Sequence, residues 1–140
     1  MTKKKLLVLC TGNSCRSQMA EAYLRLFSGD EAEVYSAGIE AHGLNPRAVA
    51  IMREDGIDIS THKSSTVEEY DDIEWDLILT VCDNARENCP VLPGQGKAVH
   101  HSFSDPAKAS GSEEEIMETF RQVRDQIKSF SRKFALTYLT

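Results

Sequence analysis

The chain has 140 residues, of which 41% are hydrophobic and 27% are charged, and its formal net charge at pH 7 is −6. This composition is typical of one soluble domain, so we predict a single domain over residues 1–140. The negative charge gives no electrostatic support for nucleic-acid binding. No apolar segment approaches the length of a signal peptide core or a membrane span. We therefore expect a cytoplasmic protein that binds neither nucleic acid nor membrane.

The N-terminal part of the chain predicts a strand, a helix and a second strand. The apolar segment Lys5–Leu9 is the first predicted strand. Apolar residues at helical spacing then predict a helix that starts near Ser17 and ends near Gly29. The second predicted strand is Glu33–Ala37.

The same alternation continues through the middle of the chain. A second helix is predicted to begin after the capping residue Asn45 and to end at Gly56. The polar segment Ile57–Tyr70 is predicted to be a loop with a short helix. Two further strands are predicted at Asp76–Val81 and Ala98–His101.

The last predicted element is an amphipathic helix. Ser112 and Glu115 have the spacing of a capping box at its start. The apolar residues that follow at spacings of four and three indicate a face packed on a sheet, with no chemistry of its own. They are Ile116, Phe120, Val123, Ile127, Phe130 and Phe134. Alternating strands and helices predict an α/β fold, with a four-stranded parallel sheet flanked by helices on both faces.

The loop Cys10–Ser17 follows the first strand and carries the most informative chemistry. A cysteine and an arginine are separated by small or polar residues, at a junction of strand and helix. An isolated cysteine is more often simply buried. Here, however, Gly12 permits a positive φ, so that backbone N–H groups can form an anion nest at a helix N-terminus. The predicted oxyanion-binding residues are Thr11, Gly12, Asn13, Ser14, Cys15, Arg16 and Ser17.

Within this loop, Cys10 is the predicted nucleophile. Arg16 can hold two oxygens of an oxyanion through its planar fork. We expect the positive surroundings to lower the pKa of the Cys10 thiol and so to activate it near neutral pH. The side chain of Cys15 is expected to face the protein rather than the anion, in a structural role.

Two further cysteines, Cys82 and Cys89, follow the third predicted strand. If the first and third strands are neighbours, Cys10 and Cys82 share one sheet edge, and a strand spacing of about 4.8 Å is compatible with a disulfide. If the segment from 82 to 89 is helical, its cysteines lie about 10.5 Å apart, so a bond between them requires unwinding. Simple burial remains an alternative for each cysteine. So does a zinc site with His100 and His101, although the set has no standard finger spacing.

Asp105 precedes Pro106 on the loop after the fourth predicted strand. Proline restricts the preceding residue to an extended conformation, and the pair is common in turns. Because this loop leaves the same sheet edge as Cys10, we predict that Asp105 protonates a departing oxygen.

Together these residues resemble a known family. The loop Cys10–Ser17 and the Asp105-Pro106 pair are similar to the low-molecular-weight protein tyrosine phosphatase fold. The segment Val81–Pro90, with its two cysteines, is similar to the thioredoxin-coupled arsenate reductases on that fold. The run Cys10–Glu21 (CTGNSCRSQMAE) is similar to the N-terminal signature of that family. The resemblance extends from Lys5 to about Phe134.

The resemblance implies a redox relay. Cys10 attacks arsenate, for which phosphate and sulfate are mimics, and Asp105 protonates the leaving hydroxyl. Cys82 then attacks Cys10, arsenite leaves, and Cys89 moves the disulfide to the Cys82–Cys89 pair for reduction by thioredoxin. A monomer without a cofactor is expected. Competing interpretations are a phosphatase that does not use Cys82, and a non-enzymatic thiol sensor.

Some members of the family bind potassium near this loop, through residues that match Asn13, Glu21 and Ser36 and through an aspartate. In this chain Ser65 stands at the aspartate position. We therefore predict no metal. In its place, the resemblance implies that Asn13 braces the loop by hydrogen bonds and that Ser17 hydrogen-bonds the Cys10 thiolate.

Overall fold

The computed structural model describes residues 3–82 and 96–139. Four strands form one sheet in the order β2-β1-β3-β4, and every neighbouring pair is parallel. The strands are β1 (Lys4–Cys10), β2 (Ala32–Gly38), β3 (Leu77–Thr80) and β4 (Lys97–His100). The predicted four-stranded parallel sheet is confirmed, and so is the adjacency of the first and third strands.

Three α-helices lie within the described residues, together with two short 3-10 helices. The α-helices are α1 (Arg16–Ser28), α2 (Pro46–Glu54) and α3 (Glu113–Tyr138), and the 3-10 helices are Val67–Tyr70 and Pro106–Lys108. The Asn45 side chain caps α2, and Ser112 and Glu115 form the predicted capping box of α3. The capping residues in the sequence therefore predicted the starts of α2 and α3 correctly.

The two faces of the sheet carry different layers. Ser36 of β2 donates a 2.6 Å hydrogen bond from Oγ to Glu21 of α1, so its side chain lies on the α1 face. Because side chains alternate along a strand, Tyr35 lies on the opposite face. There it packs edge-to-face against Tyr70 of the 3-10 helix and against Trp75. Helical segments therefore cover both faces, as predicted.

The apolar stripe of α3 is mainly a packing surface. Four of its six predicted residues are buried: Phe120, Val123, Ile127 and Phe134. Full burial of such a side chain stabilises the fold by about 1.5–3 kcal/mol. Phe130 is only partly buried, and its ring contacts the rings of His101 and Phe103. This contact joins α3 to the loop that carries Asp105.

None of the helices in the described residues is long and apolar enough to cross a membrane.

Candidate active site

The predicted nucleophile and its partners meet at the carboxyl edge of the sheet. Cys10 is the last residue of β1, Arg16 is the first residue of α1, and Cys82 follows β3. All three line one pocket together with Asp105. This is the edge at which parallel α/β sheets bind ligands.

The loop after β1 is held from one side through its carbonyl groups. Four of its carbonyl oxygens accept hydrogen bonds of 2.9–3.3 Å from backbone N–H groups of the segment that follows β2. The acceptors are Cys10, Thr11, Gly12 and Ser14, and their donors are Ile39, Glu40, His42 and Asn45, respectively. In a trans peptide the next N–H points away from the carbonyl. The N–H groups of residues 11, 12, 13 and 15 therefore point away from this segment, as an anion nest requires.

Asn13 braces the loop from within the protein. Its side chain is fully buried, and its Nδ2 donates 2.9 Å hydrogen bonds to the hydroxyl oxygens of Ser17 and Ser36. Its Oδ1 accepts hydrogen bonds from Gln18 Nε2 at 3.1 Å and from the Ser65 backbone N–H at 2.8 Å. These contacts agree with the bracing role that the resemblance implied for Asn13.

The left-handed position of the loop differs from the expectation. Asn13 has a φ of +48°, whereas Gly12 does not have a positive φ. Asparagine adopts this region more readily than most residues, so glycine is not required there. Gly12 is needed for another reason, because a Cβ at this position would overlap the ring of His42.

Arg16 and Asp105 face each other across the pocket. Arg16 Nη1 donates a 3.0 Å hydrogen bond to the Phe103 carbonyl, and its Nη2 lies 3.5 Å from Asp105 Oδ2. The other carboxylate oxygen of Asp105 accepts a 3.0 Å hydrogen bond from the backbone N–H of Ala107. Asp105 is thereby oriented toward Arg16 and the oxyanion loop.

The protonation of Cys10 differs from the prediction. A hydrogen bond with Cys82 and burial raise the pKa of the Cys10 thiol, whereas Arg16 and the Thr11 backbone act in the opposite direction. The predicted low pKa is therefore wrong for this arrangement. The physical reason is the hydrogen bond between the two sulfurs. Because the Cys10 and Cys82 thiols titrate as a coupled pair, the last of their two protons is lost only at high pH.

Cys82 also contacts the oxyanion loop directly. Its Sγ lies 3.3 Å from Thr11 Oγ1, at hydrogen-bond distance. Cys82 is 3% exposed and Cys10 is 5% exposed, so both sulfurs are shielded from solvent. Cys10, Cys15 and Cys82 are thiols in this structure, and none of the three is in a disulfide. This is the arrangement from which a thiolate can attack a neighbouring sulfur.

The remaining predicted residues have separate outcomes. Cys15 is buried, and burial followed by the nearby charge of Asp105 raises the pKa of its thiol to about 12. Cys89 lies outside the described residues.

Among the residues that are described, no group of His, Cys, Asp and Glu is arranged to hold a metal ion. His101 is stacked on Phe130 rather than turned toward a zinc site.

The four positions that correspond to the potassium site form a hydrogen-bonded network instead. The carboxylate of Glu21 accepts the Ser36 hydroxyl, and it also lies 3.4 Å from Arg25 Nε and 3.6 Å from His62 Nδ1. Ser65 offers Asn13 its backbone N–H, so the Asn13 oxygen is already engaged. These residues do not fit a cation site.

The residues that line the pocket but were not identified from the sequence include His42, Phe103 and Lys108. Phe103 and Lys108 flank Asp105 closely in the chain, and this proximity could have indicated them. His42 belongs to none of the motifs that indicated chemistry, and its place is given by the structure, through its backbone hydrogen bond to the Gly12 carbonyl and the closeness of its ring to Gly12.

Comparison with known proteins identifies the family. Residues 5–139 match the family described as low molecular weight phosphotyrosine protein phosphatase. The chain belongs to this family. An arsenate reductase from Halalkalibacterium halodurans is 51% identical over 137 residues, which cover 98% of this chain and 99% of that relative.

Solved structures of this family show the same architecture. One is an arsenate reductase in the phosphate binding state, with 30% identity and a TM-score of 0.77, and the match covers 98% of this chain and 99% of that one. Another is an arsenate reductase in the reduced state, with 32% identity and a TM-score of 0.75, covering 96% and 98% of the respective chains.

Proposed function

We propose that this protein reduces arsenate to arsenite through a relay of Cys10, Cys82 and Cys89, with thioredoxin as the final reductant. The observation that carries the proposal is the contact of Cys82 with Cys10 at the oxyanion loop. A phosphatase needs only the nucleophile, the arginine and the acid. A second thiol against the nucleophile favours exchange between sulfurs. Relatives that cover nearly the whole chain are arsenate reductases, which supports arsenate as the oxyanion.

The first step is capture of arsenate and attack by sulfur. The loop N–H groups and the Arg16 guanidinium bind the oxyanion oxygens, and the helix N-terminus adds favourable charge. The Cys10–Cys82 pair loses one proton, and the thiolate left on Cys10 is stabilised by Arg16 and by the Thr11 backbone N–H. That thiolate forms a bond to arsenic, and one hydroxyl leaves as water with the proton from Asp105.

The second step carries the electrons. Cys82 gives its proton to an oxygen of the arsenic group, which departs with it, and the resulting thiolate attacks the sulfur of Cys10. The electron pair of the sulfur–arsenic bond passes to arsenic, which changes from the pentavalent to the trivalent state and leaves as arsenite. The two sulfurs are left as a Cys10–Cys82 disulfide, so two electrons have moved from the thiols to arsenic.

The third step restores the nucleophile. The Cys89 thiolate attacks Cys82 and displaces Cys10, which gives a Cys82–Cys89 disulfide. The thioredoxin dithiol then reduces this disulfide and becomes oxidised in its place. Thioredoxin fits this role because its dithiol supplies the two electrons and two protons that reduction of the Cys82–Cys89 disulfide requires.

The test is turnover of three chains with arsenate, thioredoxin, thioredoxin reductase and NADPH. The native chain should consume NADPH over many turnovers. Cys89→Ser should release one arsenite per chain and then stop as the Cys10–Cys82 disulfide. Cys82→Ser should release none. The two variants each replace one sulfur by oxygen, so each is the matched control for the other.

Specific outcomes contradict the proposal. Repeated turnover by Cys89→Ser would remove Cys89 from the relay, and arsenite release by Cys82→Ser would remove Cys82. Absence of turnover by the native chain, with its thiols intact by titration, would exclude arsenate reduction altogether.

Phosphatase side activity is a second candidate. The family match and the set of Cys10, Arg16 and Asp105 support it, because all three also serve phosphate ester hydrolysis. Water would then hydrolyse the phosphocysteine, without any use of Cys82. Hydrolysis of p-nitrophenyl phosphate should therefore survive in Cys82→Ser and disappear in Cys10→Ser.

We also propose that the protein works as a monomer in the cytoplasm. Its described cysteines are not in disulfides, which suits a reducing compartment, and every residue of the relay belongs to one chain. Size-exclusion chromatography with light scattering should give the mass of one chain, and a stable dimer would contradict this.

A further inference from the structure

The formal charges that line the oxyanion pocket do not all have partners. Arg16 and Asp105 lie 3.5 Å apart, so that their charges largely offset each other. Among the described residues that line the pocket, the third with a formal charge is Lys108, which is exposed. Arg16 and Asp105 together leave no net formal charge, so within this described lining Lys108 supplies the excess of positive charge.

Lys108 differs from the basic residues that form ion pairs with carboxylates. In this acidic chain several exposed cations have carboxylate partners, such as Lys63 with Glu69 at 2.6 Å and Arg47 with Glu113 at 2.8 Å. Within residues 3–82 and 96–139, Lys108 has no carboxylate within 4.0 Å. Its charge is thus not engaged inside the described part of the protein, and it is open to an anion from solution.

The backbone of Lys108 is held against the catalytic acid. It is the last residue of the 3-10 helix Pro106–Lys108, and its N–H donates a 3.2 Å hydrogen bond to the Asp105 carbonyl. The Asp105 side chain caps the same turn through the N–H of Ala107. One short turn therefore places the proton donor toward the pocket and the lysine at its mouth.

We propose that Lys108 is a recruiting residue, which attracts the oxyanion substrate to the pocket mouth and raises its capture by Arg16 and the loop. This inference rests on the proposed function for the identity of the substrate, arsenate. A chain with a net charge of −6 repels such an anion at long range. A cation at the pocket mouth reduces that repulsion close to the pocket, where the anion enters. Lys108 takes no part in the exchange between sulfurs.

The experiment compares Lys108→Gln, Lys108→Glu and Lys108→Arg with the control Lys3→Gln. Lys3 is exposed and precedes β1 at the amino edge of the sheet, about 20 Å from the pocket. The control therefore makes the same change in net charge far from the site. Arsenate turnover is measured at low and high ionic strength, and phosphate affinity is measured by protection of Cys10 from iodoacetamide.

At low ionic strength Lys108→Gln should raise KM and weaken phosphate protection by the same factor, about three- to ten-fold, with kcat unchanged. Lys108→Glu should do so more strongly. Lys108→Arg and Lys3→Gln should behave like the native chain. The differences in KM and phosphate protection between Lys108→Gln and the native chain should become smaller at high ionic strength, because salt screens charges.

The proposal is overturned if Lys108→Gln and Lys3→Gln give equal effects, if the loss appears in kcat alone, or if it does not depend on salt. Failure of the proposed function gives a different result. In that case no chain reduces arsenate, while phosphate protection of Cys10 still reports whether Lys108 recruits an oxyanion.

Discussion

The two walls of the pocket are built differently. The loop after β1 is held through its carbonyls by a neighbouring segment and through the buried side chain of Asn13, which makes four hydrogen bonds. In the opposite wall, the side chains of Cys82 and Asp105 contact the loop at longer distances, with Cys82 Sγ 3.3 Å from Thr11 Oγ1 and Asp105 Oδ2 3.5 Å from Arg16 Nη2.

The two walls therefore suit two different tasks, which are binding of the oxyanion by the loop and exchange of protons and sulfur bonds by the opposite wall. Binding of an oxyanion needs N–H groups that are oriented before the ligand arrives, because their orientation then costs nothing during the reaction. The second wall must exchange protons and sulfur bonds, so its groups have to change partners. Mutations in the loop should therefore reduce oxyanion affinity or stability, whereas mutations of Cys82 or Asp105 in the second wall should reduce turnover with little loss of affinity.

The largest expected effect is that of Arg16→Lys. Lysine keeps the charge but cannot reproduce the planar fork that contacts two oxygens. Arsenate turnover should fall by about 10²- to 10³-fold, and phosphate protection of Cys10 should weaken with it. Steady-state kinetics and the iodoacetamide assay check both values. Unchanged phosphate affinity would show that the loop alone binds the anion, against the assignment of Arg16.

Asp105→Asn should separate chemistry from binding. The amide keeps the shape of the side chain and removes the proton that the leaving oxygen needs. We expect kcat to fall by about 10²-fold with phosphate affinity near the native value. A large loss of phosphate affinity instead would place Asp105 with the binding wall, and the contrast between the two walls would fail.

Asn13 should matter for the fold of the loop. Asn13→Ala removes four hydrogen bonds and places alanine at a φ of +48°, so we expect a loss of about 2–4 kcal/mol of unfolding free energy. Asn13→Gly loses the same bonds without the backbone strain. Urea denaturation of both variants separates the two causes. Equal stability of Asn13→Ala and the native chain would show that the brace contributes little.

The smallest expected effect concerns protonation. Cys82→Ala removes the largest cause of the raised pKa of Cys10, while burial and Arg16 remain, so the pKa should fall. The midpoint of Cys10 alkylation by iodoacetamide should therefore move to lower pH. Movement to higher pH, or none, would contradict the coupling of the two sulfurs.

The same shift has a consequence for stability. An unfolded cysteine has a pKa of about 8.5. Because the folded value of Cys10 is higher, its stabilising contribution is present below that pH and is lost as the pH rises toward the folded pKa. Cys82→Ala should lose less of its unfolding free energy between neutral and alkaline pH than the native chain, as denaturation at several pH values would show.

Much of the fold was predictable because its signals are local. Apolar strands, helical spacing and caps such as Asn45 and Ser112 act within a few residues, and both caps are found in the structure. The parallel order followed from the alternation of elements. The loop motif was equally local, since Cys10, Arg16 and the residues between them are consecutive.

The remaining features depend on residues far apart in the chain. The sequence alone indicated the fold class, the oxyanion loop and the nucleophile, because each depends on neighbours in the chain. Only the tertiary structure placed Cys82 against Cys10 and so raised the thiol pKa, and only it gave the left-handed position to Asn13. It also left Lys108 without a carboxylate partner among the described residues, beside the ion pair of Arg16 and Asp105. Protonation and net local charge depend on distances between side chains from different strands and loops, and those distances exist only once the sheet has formed.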